Sequence, residues 1–123
     1  MKKKLAIIGA GIAGLTLANF IKKQSDHEFM VYEKEESLSL DEGYGIQLAA
    51  NSIKILNEIN FHKISNEKIF NPRSLDFYNI NNEKLCDLDL TKFNTNEAKY
   101  TTLQRSTLIE YLKEDIWIWL EIV

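Results

Sequence analysis

The chain has 123 residues, 45% of them hydrophobic and 27% charged, the composition of a soluble globular domain long enough to bury about 65% of its unfolded surface. Its net charge is −3 and its pI is near 5.4, which argues against nucleic-acid and anionic-membrane partners, since either would need a basic patch. The one cysteine, Cys86, excludes an internal disulfide and fits a reducing, cytoplasmic setting. His27 and His62 have no carboxylate or cysteine at ligand spacing, so no metal site is expected.

The chain opens with "KKKLAIIGAGIAGLTLANFIKK". Three lysines before an uncharged run resemble a secretory leader. Two features favour a strand, turn and helix instead. Gly9, Gly11 and Gly14 have the G-x-G-x-x-G spacing, and a second strand-like run, "EFMVYEK", follows the polar break and carries Glu33 near its end. Glu33 lies nineteen positions after Gly14, close to the roughly 20-residue spacing of a ribose-binding acid. In this reading Gly9 turns the chain out of the first strand, Gly11 lets backbone approach a pyrophosphate, and Gly14 lets the helix pack against the strand. The helix N-terminus offers unpaired N–H groups and a positive dipole end to an anion.

The first strand, about 4–8, is β-branched and apolar, as expected of a strand buried on both faces of a parallel sheet. The first helix, about 12–24, is apolar nearly all round to Ile21 and is expected to be heavily buried. The second strand spans about 29–33. A long polar, glycine-containing connection, "KEESLSLDEGYGIQLAA", leads to a second helix at about 51–60, capped by Asn51 or Ser52, with Ile53, Leu56 and Ile59 or Asn60 on one face. The period then changes to two. "SLDFYNI" and "EKLCDLDL" alternate around Asn81 and Asn82 and read as a β-hairpin, with Cys86 as a small strand residue. The strand "KYTTLQ" leads into a helix at about 106–115, capped by Ser106 or Thr107, with Leu108 and Leu112 one turn apart. The fold class is therefore α/β: a Rossmann-like βαβ start with a parallel sheet, plus an antiparallel hairpin where a simple NAD-binding fold would continue to alternate strands and helices.

On "IIGAGIAGLTLA", "VYEK", "GYGIQLAANSIKIL" and "LQRSTLIEYL", in that order, the chain resembles the N-terminal part of the FAD-dependent monooxygenases of the aromatic hydroxylase type, the p-hydroxybenzoate hydroxylase fold. The resemblance runs from Lys4 to about Asp115. It implies that residues 1–123 are the N-terminal part of a single FAD-binding domain, with the hairpin at about 73–90 beginning a substrate-domain sheet. It implies that Gly9, Gly11, Ile12, Ala13 and Gly14 hold the FAD pyrophosphate and that Glu33 binds the adenosine ribose with Lys34 beside it. It further implies that Gly45, Ile46 and Gln47 run near the flavin and that Arg105 reaches the phosphates or the ribityl chain. The implied cofactor is FAD, with NADH or NADPH as co-substrate, and the implied activity is hydroxylation of a small aromatic compound. No catalytic acid or base is identifiable. Ala50 stands where the family usually has proline, and later family motifs have no counterpart here. The incomplete sheet implies unpaired edges, an unpaired "WIWLEIV" tail and a chain inactive by itself. A stand-alone nucleotide-binding module and an NAD-dependent dehydrogenase domain are the alternatives.

Overall fold

The computed structural model describes residues 1–35 and 44–120; residues 36–43 of the polar connection after the second strand, and the last three residues of the tail, lie outside the described residues. The chain divides into two compact units, residues 1–45 with 104–123, and residues 46–103.

In the first unit, β1 (Lys4–Ile8), α1 (Ile12–Gln24) and β2 (Glu28–Glu33) form a βαβ unit, and α3 (Arg105–Lys113) leads into β8 (Ile118–Leu120). The three strands make a parallel sheet in the order β1-β2-β8, with Ile7 opposite Val31 and Val31 opposite Ile118. Strand β8 corrects the expectation of an unpaired tail: Trp119 pairs in register with Tyr32. A three-residue strand carries too short a pattern to be recognised until its partner is known.

Because strand side chains alternate, Leu5, Ile7, Phe29, Val31 and Ile118 share one face. That face is covered, and Ile7 and Val31 are buried. The helices contribute Leu15, Ala18, Leu108, Ile109 and Leu112 to the same core. The other face carries Ala6, Ile8, Met30 and Trp119 and is exposed, Ile8 at 81%. The apolar run of β1 is thus buried on one face, not both. Helix α1 is likewise buried on one stripe, and Leu17 is half exposed. Composition alone does not separate a strand covered twice from one covered once.

Two contacts set α1 beside α3. Asn19 donates from Nδ2 to the carbonyls of Leu15 at 2.8 Å and Leu112 at 2.7 Å, and Lys22 Nζ donates to the carbonyl of Asp115 at 2.9 Å. The first pair joins the two helices and the second joins α1 to the turn that follows α3, and each pair is 93 positions apart. A constant difference, rather than a constant sum, means that the helices run parallel and in step. The same offset carries Ile12, which opens α1, to Arg105, which opens α3.

The second unit holds β3 (Gly45–Leu48) apart from its first residue, α2 (Ala50–Asn57), β4 (Ile69–Phe70), the hairpin β5 (Ser74–Tyr78) and β6 (Lys84–Asp89), and β7 (Thr101–Gln104) apart from its last residue. Its first sheet has the order β3-β7-β4, with Ile69 opposite Leu103 in an antiparallel pair. Ile53, Leu56, Ile59, Phe61, Leu90, Ala98 and Leu103 are buried. The hairpin turns as expected: Asn82 has φ +60°, and Asn79 Oδ1 accepts from the N–H groups of Asn81 and Glu83 at 2.9 and 3.0 Å.

Several boundaries differ from the sequence reading. Helix α2 starts after an extended Ala49 with no side-chain cap, because Asn51 Oδ1 instead accepts from the adjacent N–H of Ser52. It stops at Asn57 because Asn60 enters the left-handed region at φ +70°, which asparagine tolerates. Helix α3 begins at Arg105, with extended Gln104 before it, so Ser106 and Thr107 lie inside the first turn and do not cap it. Residues 45–48, read as connection, form β3.

Candidate functional site

The glycine turn is built from three glycines with three separate jobs. Gly9 has φ +98°, a conformation L side chains rarely adopt, and its N–H donates to the carbonyl of Tyr32 at 2.7 Å. This bond ties the turn to the end of β2. Gly14 faces the turn from inside α1: an added Cβ would collide with the Gly9 carbonyl oxygen and press on the Ile7 side chain. Gly11 is different, since an added Cβ would meet no atom within 4 Å. No internal packing therefore requires glycine there. What the bare backbone leaves is approach from outside.

Gly11 is also the N-cap of α1, and no side chain caps that end. The first turn contains Ile12, Ala13 and Gly14 and no acid, whereas Lys22 and Lys23 sit in the last turn. No acid within the helix itself offsets the dipole's positive end, whereas lysines match the far end. The geometry suits an anion approaching backbone N–H groups past Gly11.

Glu33 closes β2 and reaches back to the turn. Its Oε2 accepts from the N–H of fully buried Ala10 at 2.7 Å, and its Oε1 accepts from the N–H groups of Lys34 and Glu35 at 2.8 and 3.1 Å. The Ala10 bond, outweighing the opposing effect of burial, holds the carboxyl below its ordinary range, with the Glu35 and Lys34 bonds assisting. A carboxylate has about four lone-pair sites, so roughly one remains for a hydroxyl from outside. Sequence spacing identified the acid but not its clamp on the turn, because a backbone donor leaves no mark in the residue code. The Lys34 side chain is exposed, 3.7 Å from Glu35.

Arg105 stands level with Ile12 by the helix register, which brings a guanidinium to the end of the first unit that holds the glycine turn. It is half-buried, and its guanidinium carbon lies 5.7 Å from the centre of the Tyr44 ring. Its N–H donates to the Tyr44 carbonyl at 3.1 Å. Gly45 follows directly in the same unit. Ile46 and Gln47 belong to the second unit, on β3, where Gln47 Oε1 accepts from the Tyr100 hydroxyl at 2.7 Å. The first unit thus brings together Gly9, Gly11, Ile12, Ala13, Gly14, Glu33 and Lys34 around one turn, with Arg105 at the same end. Sequence reasoning passed over Ala10, Asn19 and Tyr44; an asparagine in the middle of an apolar helix was the available signal for the second. Among the described residues no cluster of His, Cys, Asp and Glu could hold a metal ion, and no helix is long and apolar enough to cross a membrane.

Comparison with known proteins bears on this geometry. Residues 7–42 match the NAD(P)-binding Rossmann-like domain family. A 3-amino-4-hydroxybenzoate 2-monooxygenase of Streptomyces platensis is 43% identical over 58 residues, 47% of this chain and 14% of that protein. An FAD-dependent monooxygenase of Penicillium roqueforti is 40% identical over 57 residues, 46% of this chain and 7% of that protein. The chain therefore spans a small part of the curated relatives it matches. Among solved structures, MHPCO aligns over 98% of this chain and 32% of its own at a TM-score of 0.78 and 21% identity. The p-nitrophenol 4-monooxygenase of Pseudomonas putida aligns over 94% of this chain and 31% of its own at 0.73 and 15%. At such identity these likenesses are of fold. By sequence over just under half its length, and by fold over nearly all of it, the chain resembles the N-terminal part of the FAD-dependent monooxygenases of the aromatic hydroxylase type.

Proposed function

We propose that this chain is the FAD-binding, N-terminal part of a flavin-dependent monooxygenase that hydroxylates a small aromatic compound with NADH or NADPH and dioxygen. The observation that carries the reading is the open approach at Gly11, in front of an uncapped helix N-terminus that has Arg105 at its level. These residues fit FAD: a pyrophosphate meets backbone N–H groups at the turn, a guanidinium can share its charge, and Glu33 keeps an acceptor for a ribose hydroxyl. Gly9, Gly11, Ile12, Ala13 and Gly14 would line the phosphates, Glu33 and Lys34 the adenosine ribose, and Gly45, Ile46 and Gln47 the flavin side.

When bound, FAD supplies the redox chemistry: one oxygen atom enters the substrate, the other leaves as water, and the reduced nicotinamide supplies the electron pair. The residues described here bind and orient that cofactor, and none is assigned a proton-transfer role. The 123 residues form part of a single FAD-binding domain, the hairpin β5–β6 begins a substrate-domain sheet, and the working protein is cytoplasmic and acts on a small-molecule substrate. By itself the chain is inactive in oxygenation, because the groups it contributes serve the nucleotide. That same bias supports a second reading, a nucleotide-binding module without catalysis.

The deciding experiment is to express the chain, record its visible spectrum for bound flavin, and measure FAD affinity and NAD(P)H consumption with a panel of aromatic compounds. Gly11→Val is expected to abolish FAD binding while leaving the far-ultraviolet circular dichroism unchanged, since position 11 has room for a side chain and the cofactor does not. Undiminished FAD on the valine variant would overturn the reading. Turnover of any aromatic compound by the 123 residues would overturn the assignment of an inactive part.

A further inference from the structure

We infer that Tyr44 is a positioning residue, which holds the Arg105 guanidinium in place for the phosphate-bearing part of a bound nucleotide. The inference rests on the FAD-binding reading above and adds to it a residue outside the glycine turn, the acid and the arginine.

Arg105 has a long side chain, and an anion gains from it only when its fork is held in one orientation. Tyr44 meets it in two ways. The backbone N–H of Arg105, one of the first N–H groups of α3 and so without an intrahelical acceptor, donates to the Tyr44 carbonyl at 3.1 Å. The Tyr44 ring lies under the guanidinium at 5.7 Å, within cation–π range. Stacking of this kind uses the flat face of the guanidinium and none of the N–H donors in its plane. Tyr44 is 54% exposed, so little of its position is owed to core packing. The parallel register of α1 and α3 puts the starts of both helices at one end of the first unit, so a guanidinium steadied there is steadied at the end that holds the uncapped start of α1.

The carbonyl contact would survive any substitution, whereas the ring contact would not, and the phenol hydroxyl takes no part in it. Tyr44→Phe should therefore bind FAD like wild type. Tyr44→Leu should bind about two- to five-fold more weakly, the range for an exposed cation–π contact. In an Arg105→Gln background the leucine change should have no further effect, a non-additivity that mere loss of packing would not produce. Independently of any ligand, the Arg105 δ-protons should show an upfield ring-current shift in the NMR spectrum, kept in Tyr44→Phe and lost in Tyr44→Leu. Wild-type affinity in Tyr44→Leu, or equal losses in the presence and absence of Arg105, would overturn the positioning role while leaving FAD binding standing. Absence of FAD binding by wild type would sink both readings, and absence of the shift would sink the stacking alone.

Discussion

At Glu33 one carboxylate accepts three backbone hydrogen bonds. Its hydrogen bonds to Ala10, Lys34 and Glu35 favour the charged form, so its folded-state pKa lies below the ordinary 4.5. A lowered pKa contributes stability that is present above the unfolded value and is lost as pH falls through the folded one. Glu33→Gln, which cannot accept equally on both sides, should cost about 1 kcal/mol in urea unfolding at pH 7, with solvent screening keeping the figure small. The gap between the two proteins should narrow as pH drops below 4.5. A gap that stayed constant down to pH 3 would show that the carboxylate's charge is not what the turn relies on. Gly14→Ala should be more damaging than that, because its methyl group is directed at a backbone oxygen that cannot rotate away. The measurement is the thermal midpoint, which should fall sharply for Gly14→Ala and little for Gly11→Ala.

Among the elements, the pairing of α1 with α3 depends on a polar contact within an apolar seam. Asn19 gives its amide to a carbonyl on each helix, and in Asn19→Ala the Leu112 carbonyl loses that donor. The expected cost is about 1–2 kcal/mol in urea unfolding, and a variant as stable as wild type would mean that the helices are held by packing alone. How much of this was legible beforehand follows from what periodicity can carry. The β1–α1–β2 unit and the β5–β6 hairpin announce themselves through glycine spacing, alternation and asparagine turns, all of them local. Strand β8 does not, since three residues acquire meaning only beside Val31 and Tyr32. Nor did the sequence indicate β3, whose glycine reads as loop, or the ends of α2 and α3, where Ala49 and Gln104 precede the helices without capping them. In the site, the residue types were readable and their mutual contacts were not: Glu33 was visible as an acid, but its bond to Ala10 was not.

For the molecule as a whole, the open face of the parallel sheet has the largest physical consequence. Parallel sheets are ordinarily covered on both faces, and here Ala6, Ile8, Met30 and Trp119 face outward together. In the second unit, Phe77 and Leu88 of the hairpin are also exposed. Patches of this kind promote association, and a net charge of −3 opposes it weakly. The isolated chain should bind a hydrophobic dye and sediment as a concentration-dependent mixture, increasingly so as pH approaches 5.4 and repulsion fades. Ile8→Lys, on an exposed position of edge strand β1, should reduce the association while leaving the circular dichroism intact. Unchanged sedimentation in that variant would place the sticky surface elsewhere, with the hairpin next in line.

The two glycines at positions 11 and 14 also make the chain a record of its own use. A lineage that gave up its nucleotide would feel no pressure from the fold at Gly11, where a side chain has open space, and would drift there. The same lineage would still be held to glycine at position 14, where the carbonyl of Gly9 leaves no room. Selection for a ligand is therefore expected to show at position 11, and selection for the shape at position 14.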